Sequence, residues 1–216
     1  MQVFSVVINF FQSGGVFMYP ILATLALGTA IIIERLIYLS RARVSERTIW
    51  PKIRTAVMGG RPKDAIQICK TSSAPLCQVL STGLEKLQGT WSQEELQHSM
   101  EEVILEEVPA LERRTGYLPT LANVSTLLGL LGTIIGLIQA FSAVSAVDPS
   151  QKAVILANGI SLAMTTTAFG LIVAIPLILS YSFLNSKTNK IIEGIDEVST
   201  KFINLTSVLH KQSGKG

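Results

Sequence analysis

The chain has 216 residues, 48% of them apolar and only 15% charged, with a net charge of +3. Mean hydropathy is +0.45, and the apolar residues fall in long uncharged runs, which excludes an ordinary soluble domain and points to an all-α polytopic membrane protein. The small positive charge sits mostly behind the first apolar run and gives no reason to expect a nucleic-acid partner.

Residues 1–15 come first. Val3, Phe4, Val7, Phe10 and Phe11 recur at helical spacing in a stretch too short to span, which predicts a helix lying in the membrane interface, broken at Gly14-Gly15. The start, MQVFSVVINFFQSGG, has no basic n-region and reads as mature sequence rather than a signal peptide. Residues 16–39 form the first predicted transmembrane helix, with Tyr19 and Tyr38 as interfacial aromatics. Glu34 and Arg35 lie near its far end, where long side chains can snorkel to the interface. No Lys or Arg precedes this helix, whereas Arg41, Arg43, Arg47, Lys52 and Arg54 follow it. The positive-inside rule therefore places the N-terminus outside and residue 40 onward in the cytoplasm.

Residues 40–118 form a cytoplasmic helical segment of mixed charge. Pro62 marks a helix start near its N1 position, and Ser92-Gln93-Glu94-Glu95 reads as a capping box. The helix that follows carries Leu96, Met100, Val103, Ile104 and Leu105, with an acidic face from Glu101 to Glu112 that reads as solvated surface. Cys69 and Cys77 have no metal-ligand spacing around them and are expected to be reduced, structural thiols.

Residues 119–147 form the second predicted transmembrane helix. Pro119 is expected to bend or restart the chain at its cytoplasmic mouth. Gly132 and Gly136 make a GxxxG pair that Gly129 extends, a pattern for close helix packing. Asn123, Thr126 and Thr133 fall on approximately one face. Residues 148–152 make an outer turn, and residues 153–184 the third transmembrane helix, in which Pro176 kinks the helix or is relieved by a neighbour. Ser161, Thr165, Thr166 and Thr167 sit inside this uncharged run. Hydroxyls there can bond the carbonyl four residues back, or they can face a hydrated pathway. Two ridges of small residues, Gly159-Ala163-Thr167 and Thr166-Gly170-Ala174, let another helix come close. Residues 185–216 form a cytoplasmic C-terminal helix, with Ile191, Ile195, Val198 and Phe202 at helical spacing, and a polar tail expected to be disordered.

Thr133 stands about 14 residues before Val147, and Thr167 about 14 after Ala153; at roughly 1.5 Å per residue both lie some 21 Å below the turn. Two hydroxyls at matched depth on antiparallel neighbours would form a polar ring if several copies assembled. Neither helix contains Asp, Glu, His, Lys or Arg. A proton relay needs an ionisable group inside the membrane, so a titrating group would have to come from another protein. His98 and His210 lie outside the predicted spans. There is no phosphate loop, metal cluster or nucleophile–base constellation, so neither an enzyme nor a bound metal or cofactor is expected. On the residues alone, a scaffold and a channel wall stand level.

Taken together, Leu121-Ala122-Asn123-Val124, Gly129-Leu130-Leu131-Gly132-Thr133-Ile134-Ile135-Gly136, and Gly159-Ile160-Ser161 through Thr167-Ala168-Phe169-Gly170-Leu171 to Ala174-Ile175-Pro176 resemble the MotA/TolQ/ExbB proton-channel family, most closely its ExbB/TolQ branch. Glu34-Arg35 and the three-span layout agree with it. The resemblance implies a bacterial inner-membrane protein, with its N-terminus periplasmic and its C-terminus cytoplasmic. It implies a homopentamer around a dimer of a single-span ExbD/TolR-like partner that supplies the essential membrane Asp, and admits a TonB/TolA-like periplasm-spanning protein beyond it. Thr133 and Thr167 would face the pore, with Thr165, Thr166, Thr126 and Asn123 along the ion pathway, and Gly129, Gly132, Gly136, Gly159, Ala163 and Gly170 would pack the helices. One position departs from the branch: Leu162 stands where many of its members carry Glu, five residues before the conserved Thr. MotA-type stators also lack that Glu, and some of them use sodium, for which Thr165 and Thr166 would add oxygen ligands. A non-conducting scaffold and a flagellar-type stator relative remain the alternatives.

Overall fold

A computed structural model of the chain describes residues 14–213 apart from 73, 90, 146 and 147, with the side chains of 43–48 and 210–213 also left out. The expected interfacial helix lies outside the described residues. Those residues are all-α, in six helices: α1 (Met18–Met58), α2 (Pro62–Lys70), α3 (Pro75–Lys86), α4 (Gln93–Glu112), α5 (Tyr117–Ser145) and α6 (Pro149–Ser213). Among the described residues three helical stretches are long and apolar enough to cross a membrane: Met18–Ala42, Gln93–Ser145 and Pro149–Leu209. The second of these takes α4 and α5 together, and its uncharged part is α5.

Helix α1 does not stop at the basic cluster. It continues through Pro51 for 41 residues in all, about 60 Å at 1.5 Å per residue. Helix α6 is likewise one element of 65 residues with Pro176 inside it. The break ahead of α5 falls earlier than Pro119. Arg113 leaves the helical region at ψ 137°, and Arg114 takes a left-handed φ of 65°, a conformation uncommon outside glycine. Tyr117 N–H then donates to Arg114 O at 3.1 Å. Pro119 falls in the first turn of α5, where its missing N–H costs nothing.

The chain divides into two compact units, whose described parts are 14–33 with 114–183, and 34–113 with 184–213. In the first unit α1, α5 and α6 pack together. Gly28 of α1 leaves no room for a side chain, since a Cβ there would stand 2.3 Å from Leu177 Cδ2 of α6. The hydroxyls of Thr24 and Ser125, both buried, lie 2.6 Å apart and join α1 to α5.

In the second unit the capping box of α4 is complete: Glu95 N–H donates to Ser92 Oγ at 3.1 Å and Ser92 N–H to Glu95 Oε2 at 3.2 Å. Apolar residues at helical spacing form the core, among them Ile53, Leu80, Leu96, Met100, Ile191, Ile195, Val198 and Phe202. A Cβ on Gly83 of α3 would come within 2.8 Å of Phe202 Cε1 and 2.9 Å of Met100 Sδ, so α3 lies hard against α4 and α6. Leu105 of α4 is instead exposed. Cys69 and Cys77 carry free thiols and are buried. Their mutual hydrogen bond and their burial push the Cys69 thiol well above the ordinary thiol range, which keeps it protonated and unreactive.

Arg35 does not snorkel. Only 3% exposed, it donates from Nη1 to Ala110 O at 3.1 Å, lies 3.7 Å from Glu34 and sits 5.1 Å from the centre of the Tyr38 ring. Ala110 is in the last turn of α4, where carbonyls have no intrahelical donor and a cation is favoured by the helix dipole. Arg35→Met keeps most of the stem and removes the donors. It is expected to lower stability by about 1.5–3 kcal/mol, the worth of a hydrogen bond to a charged group, read as a lower thermal midpoint in detergent. An unchanged midpoint would show that Ala110 O does not depend on Arg35.

Candidate functional site

The buried face of α5 from Ala122 onward consists entirely of small residues: Ala122, Ser125, Gly129, Gly132, Gly136 and Ala140. Spacings of three and four put them on one stripe. The stripe meets a matching one on α6, and the antiparallel register can be read from what a Cβ on each glycine would strike. Gly170 would meet Ser125 O at 2.7 Å, Gly129 the Thr167 Cα at 3.2 Å, Gly132 the Thr166 Cγ2 at 2.4 Å, Gly136 the Ala163 Cβ at 3.3 Å and Gly159 the Ala140 Cβ at 2.2 Å. Backbone therefore touches backbone along the seam, which only small residues allow. The structure brings Gly129, Gly132, Gly136, Gly159, Ala163 and Gly170 into this one contact.

The polar residues divide about the seam. Asn123, Thr126 and Thr133 each follow a seam residue by one position, so they stand about 100° round α5 from it. Asn123 and Thr126 are exposed and Thr133 is half-buried. Thr133 Oγ1 donates to Leu130 O at 2.5 Å and Thr126 Oγ1 to Ala122 O at 3.1 Å. On α6, Thr165 is half-buried and donates to Ser161 O at 2.8 Å. Thr167, also half-buried, crosses the seam: its hydroxyl lies 3.1 Å from Gly129 O and 3.5 Å from its own Ala163 O.

Two expectations change here. Thr166 does not stand with the other hydroxyls. It is 1% exposed, its methyl fills the space over Gly132, and its hydroxyl has Leu162 O at 2.9 Å and Gly14 O at 3.0 Å as acceptors. It fastens the chain entering α1 onto α6. Thr133 and Thr167 are also not level. Thr167 packs at the height of Gly129, whereas Gly132, beside Thr133, packs on Thr166. The two threonines are offset by nearly one turn, about 5 Å. Counting from the outer turn misses this because α5 ends at Ser145 and α6 begins at Pro149, so the two ends are not equivalent. Leu162 lies against the entry segment too, its Cδ1 3.3 Å from where a Gly15 Cβ would be.

The Thr24–Ser125 pair escapes a sequence reading. Thr24 also donates to its own Ile21 O at 2.7 Å, and Ser125 sits among other polar residues, Asn123 and Thr126, so neither residue signals a partner on another helix.

These features define a multi-pass, all-α membrane protein whose second and third apolar helices meet along a small-residue seam. The MotA/TolQ/ExbB proton channel family matches residues 71–197, and the chain belongs to that family, in its ExbB/TolQ branch. It is 32% identical over 197 residues to an ExbB homolog of Methanothermobacter thermautotrophicus, covering 90% of this chain and 67% of that protein. With TolQ of the Tol-Pal system of Haemophilus influenzae it shares 36% identity over 107 residues, 50% of this chain and 45% of that one. With the biopolymer transport protein ExbB of Salmonella typhimurium it shares 28% over 142 residues, 64% and 58% of the two chains.

Proposed function

We propose that this chain is the ion-conducting stator subunit of an inner-membrane motor driven by the proton-motive force, and that it passes energy to the periplasm or outer membrane through a single-span ExbD/TolR-like partner. One observation carries the reading. In a member of a proton-channel family, the α5–α6 pair holds Asn123, Thr126, Thr133, Thr165 and Thr167 outside or at the edge of its seam, yet no Asp, Glu, His, Lys or Arg occurs from 115 to 147 or from 153 to 186. Hydroxyls relay a proton but do not store one; a titrating group has to be added. A partner carboxylate lodged among several copies of this pair, five by the family resemblance, completes the path. The glycine seam keeps each pair rigid while the partner moves, and a TonB/TolA-like protein takes up the motion. The basic residues after the first span face the cytoplasm, and the N-terminus faces the periplasm. The chain itself performs no covalent chemistry.

Protons are favoured over sodium because Thr166, which sodium would need as a ligand beside Thr165, is turned into the protomer. The scaffold reading draws support from Thr133 and Thr165, whose hydroxyls bond their own backbone. Co-reconstitution with an ExbD/TolR-like single-span protein separates these readings. Proton flux into vesicles is expected with both proteins present and a marked drop when the partner's membrane Asp is changed to Asn. Absence of flux from an assembled complex would leave a scaffold, and flux that required sodium would overturn the choice of ion.

A further inference from the structure

Tyr38 and Arg41 of α1, with Thr71, Ser72 and Pro75 at the α2–α3 corner, line a cleft of about 440 Å³. That is within the roughly 300–1,000 Å³ typical of small-ligand sites. The buried Ala42 and Ala74 add to its wall. Positions 38, 41 and 42 are spaced three and four, so one face of α1 forms one side. The Tyr38 ring is held beside the buried Arg35 guanidinium, 5.1 Å away. Arg41 is exposed, and among the described residues no carboxylate lies within 4 Å of it; the ion pairs formed there involve other side chains. Thr71 spends its hydroxyl proton on Ile68 O at 2.7 Å, and Ser72 Oγ accepts from Ala74 N–H at 3.4 Å. The Thr71 oxygen keeps a lone pair that can accept from a ligand hydroxyl.

The position of the cleft along α1 selects the ligand. Tyr38 and Arg41 lie in the last turn of the apolar stretch Met18–Ala42, at the level where lipid headgroups meet water. A Tyr there is an interfacial anchor. A guanidinium there with no carboxylate beside it among the described residues has phosphodiester as its natural counter-ion, since its planar fork fits two phosphate oxygens. We propose that this cleft seats the headgroup of an anionic phospholipid, with Arg41 against the phosphate, Tyr38 as the interfacial wall and Thr71 toward the headgroup's own hydroxyls. Basic side chains in such positions recognise anionic lipids generally.

The test is native mass spectrometry on the full-length protein in detergent, titrated separately with phosphatidylglycerol and phosphatidylcholine. Phosphatidylglycerol is expected to be retained in preference. Arg41→Gln should weaken its apparent affinity about fivefold, as expected for one basic side chain at a membrane surface. Lys63→Gln, which removes an equal exposed charge on α2 outside the cleft, should leave the affinity unchanged, and excess inorganic phosphate should not displace the lipid. Equal retention of both lipids, or equal loss in both variants, would overturn the proposal. Displacement by phosphate would overturn it in favour of a soluble-anion site.

Discussion

The Thr133→Val/Thr167→Val double variant is expected to lose ion-driven activity by about ten- to a hundredfold while its helices stay paired. Valine keeps the branched shape, so packing is preserved, and what disappears is one oxygen at each position. Thr133 gives its proton to Leu130 O, and Thr167 gives its own to Gly129 O or Ala163 O. As arranged, both oxygens therefore offer lone pairs to a ligand, which suits a protonated carboxylic acid or a water as donor. Once that acid ionises, a hydroxyl has to rotate away from its carbonyl to donate in return. A hydrogen bond to a charged group is worth about 1.5–3 kcal/mol, and placed on a transfer barrier that is the stated loss of rate. The measurement is proton flux in vesicles holding this chain and the proposed single-span partner, with a check of assembly on the same sample. Wild-type flux in the double variant would reduce these residues to packing threonines. Thr166→Val serves as the internal contrast. Its hydroxyl bonds Gly14 O and Leu162 O away from any exposed face, so its loss should loosen the entry to α1 and leave flux nearly intact.

The membrane segments were legible because an apolar helix of about twenty residues with few or no charges matches the thickness of a bilayer core and has little polar face to offer water. The inner face of the C-terminal half of α6 was legible for a related reason: Ile191, Ile195, Val198 and Phe202 repeat at helical spacing, and all four are buried. Helical cytoplasmic segments after the first and third spans were legible as well, but not that α1 would run unbroken through Pro51 to Met58, because propensity is a weak prior where tertiary packing holds both sides of a segment. Arg35 was misread for lack of its acceptor. Snorkelling is the default for an Arg near a span end, and nothing near it in sequence announces an orphan carbonyl at Ala110, 75 residues away. At the candidate site, small residues foretold a close contact but not its register. The observed pairing of Gly129 with Thr167 and of Gly132 with Thr166 shows that Thr133 and Thr167 are offset, and the burial of Thr166 shows that it is interior.

Gly170→Ala is expected to lower the thermal midpoint of the detergent-solubilised protein, and Gly116→Ala to leave it unchanged or raise it slightly. The same methyl group is added in both cases. At Gly116 it would find nothing within 4 Å, so the substitution acts chiefly by restricting the unfolded chain, a gain of about 0.4–1 kcal/mol. At Gly170 it would lie 2.7 Å from Ser125 O and 3.2 Å from Gly129 Cα. Both obstacles are backbone, so no side chain can swing aside and α5 has to move. Overpacking of this kind costs about 1–3 kcal/mol, which outweighs the gain of up to about 1 kcal/mol that alanine brings to a helix interior. Displacing Ser125 also strains its 2.6 Å contact with Thr24, so the disturbance reaches α1. The seam sets the distance between the hydroxyl-bearing faces of α5 and α6, and the proposed partner carboxylate, which would have to reach both, would sense a shift of a few tenths of an ångström. Flux should therefore fall with the midpoint in Gly170→Ala, whereas the threonine double variant, which loses only the Thr167–Gly129 hydrogen bond across the seam, should lose flux out of proportion to any change in its midpoint. If Gly170→Ala kept a wild-type midpoint, α5 and α6 would not be in backbone contact at Gly170.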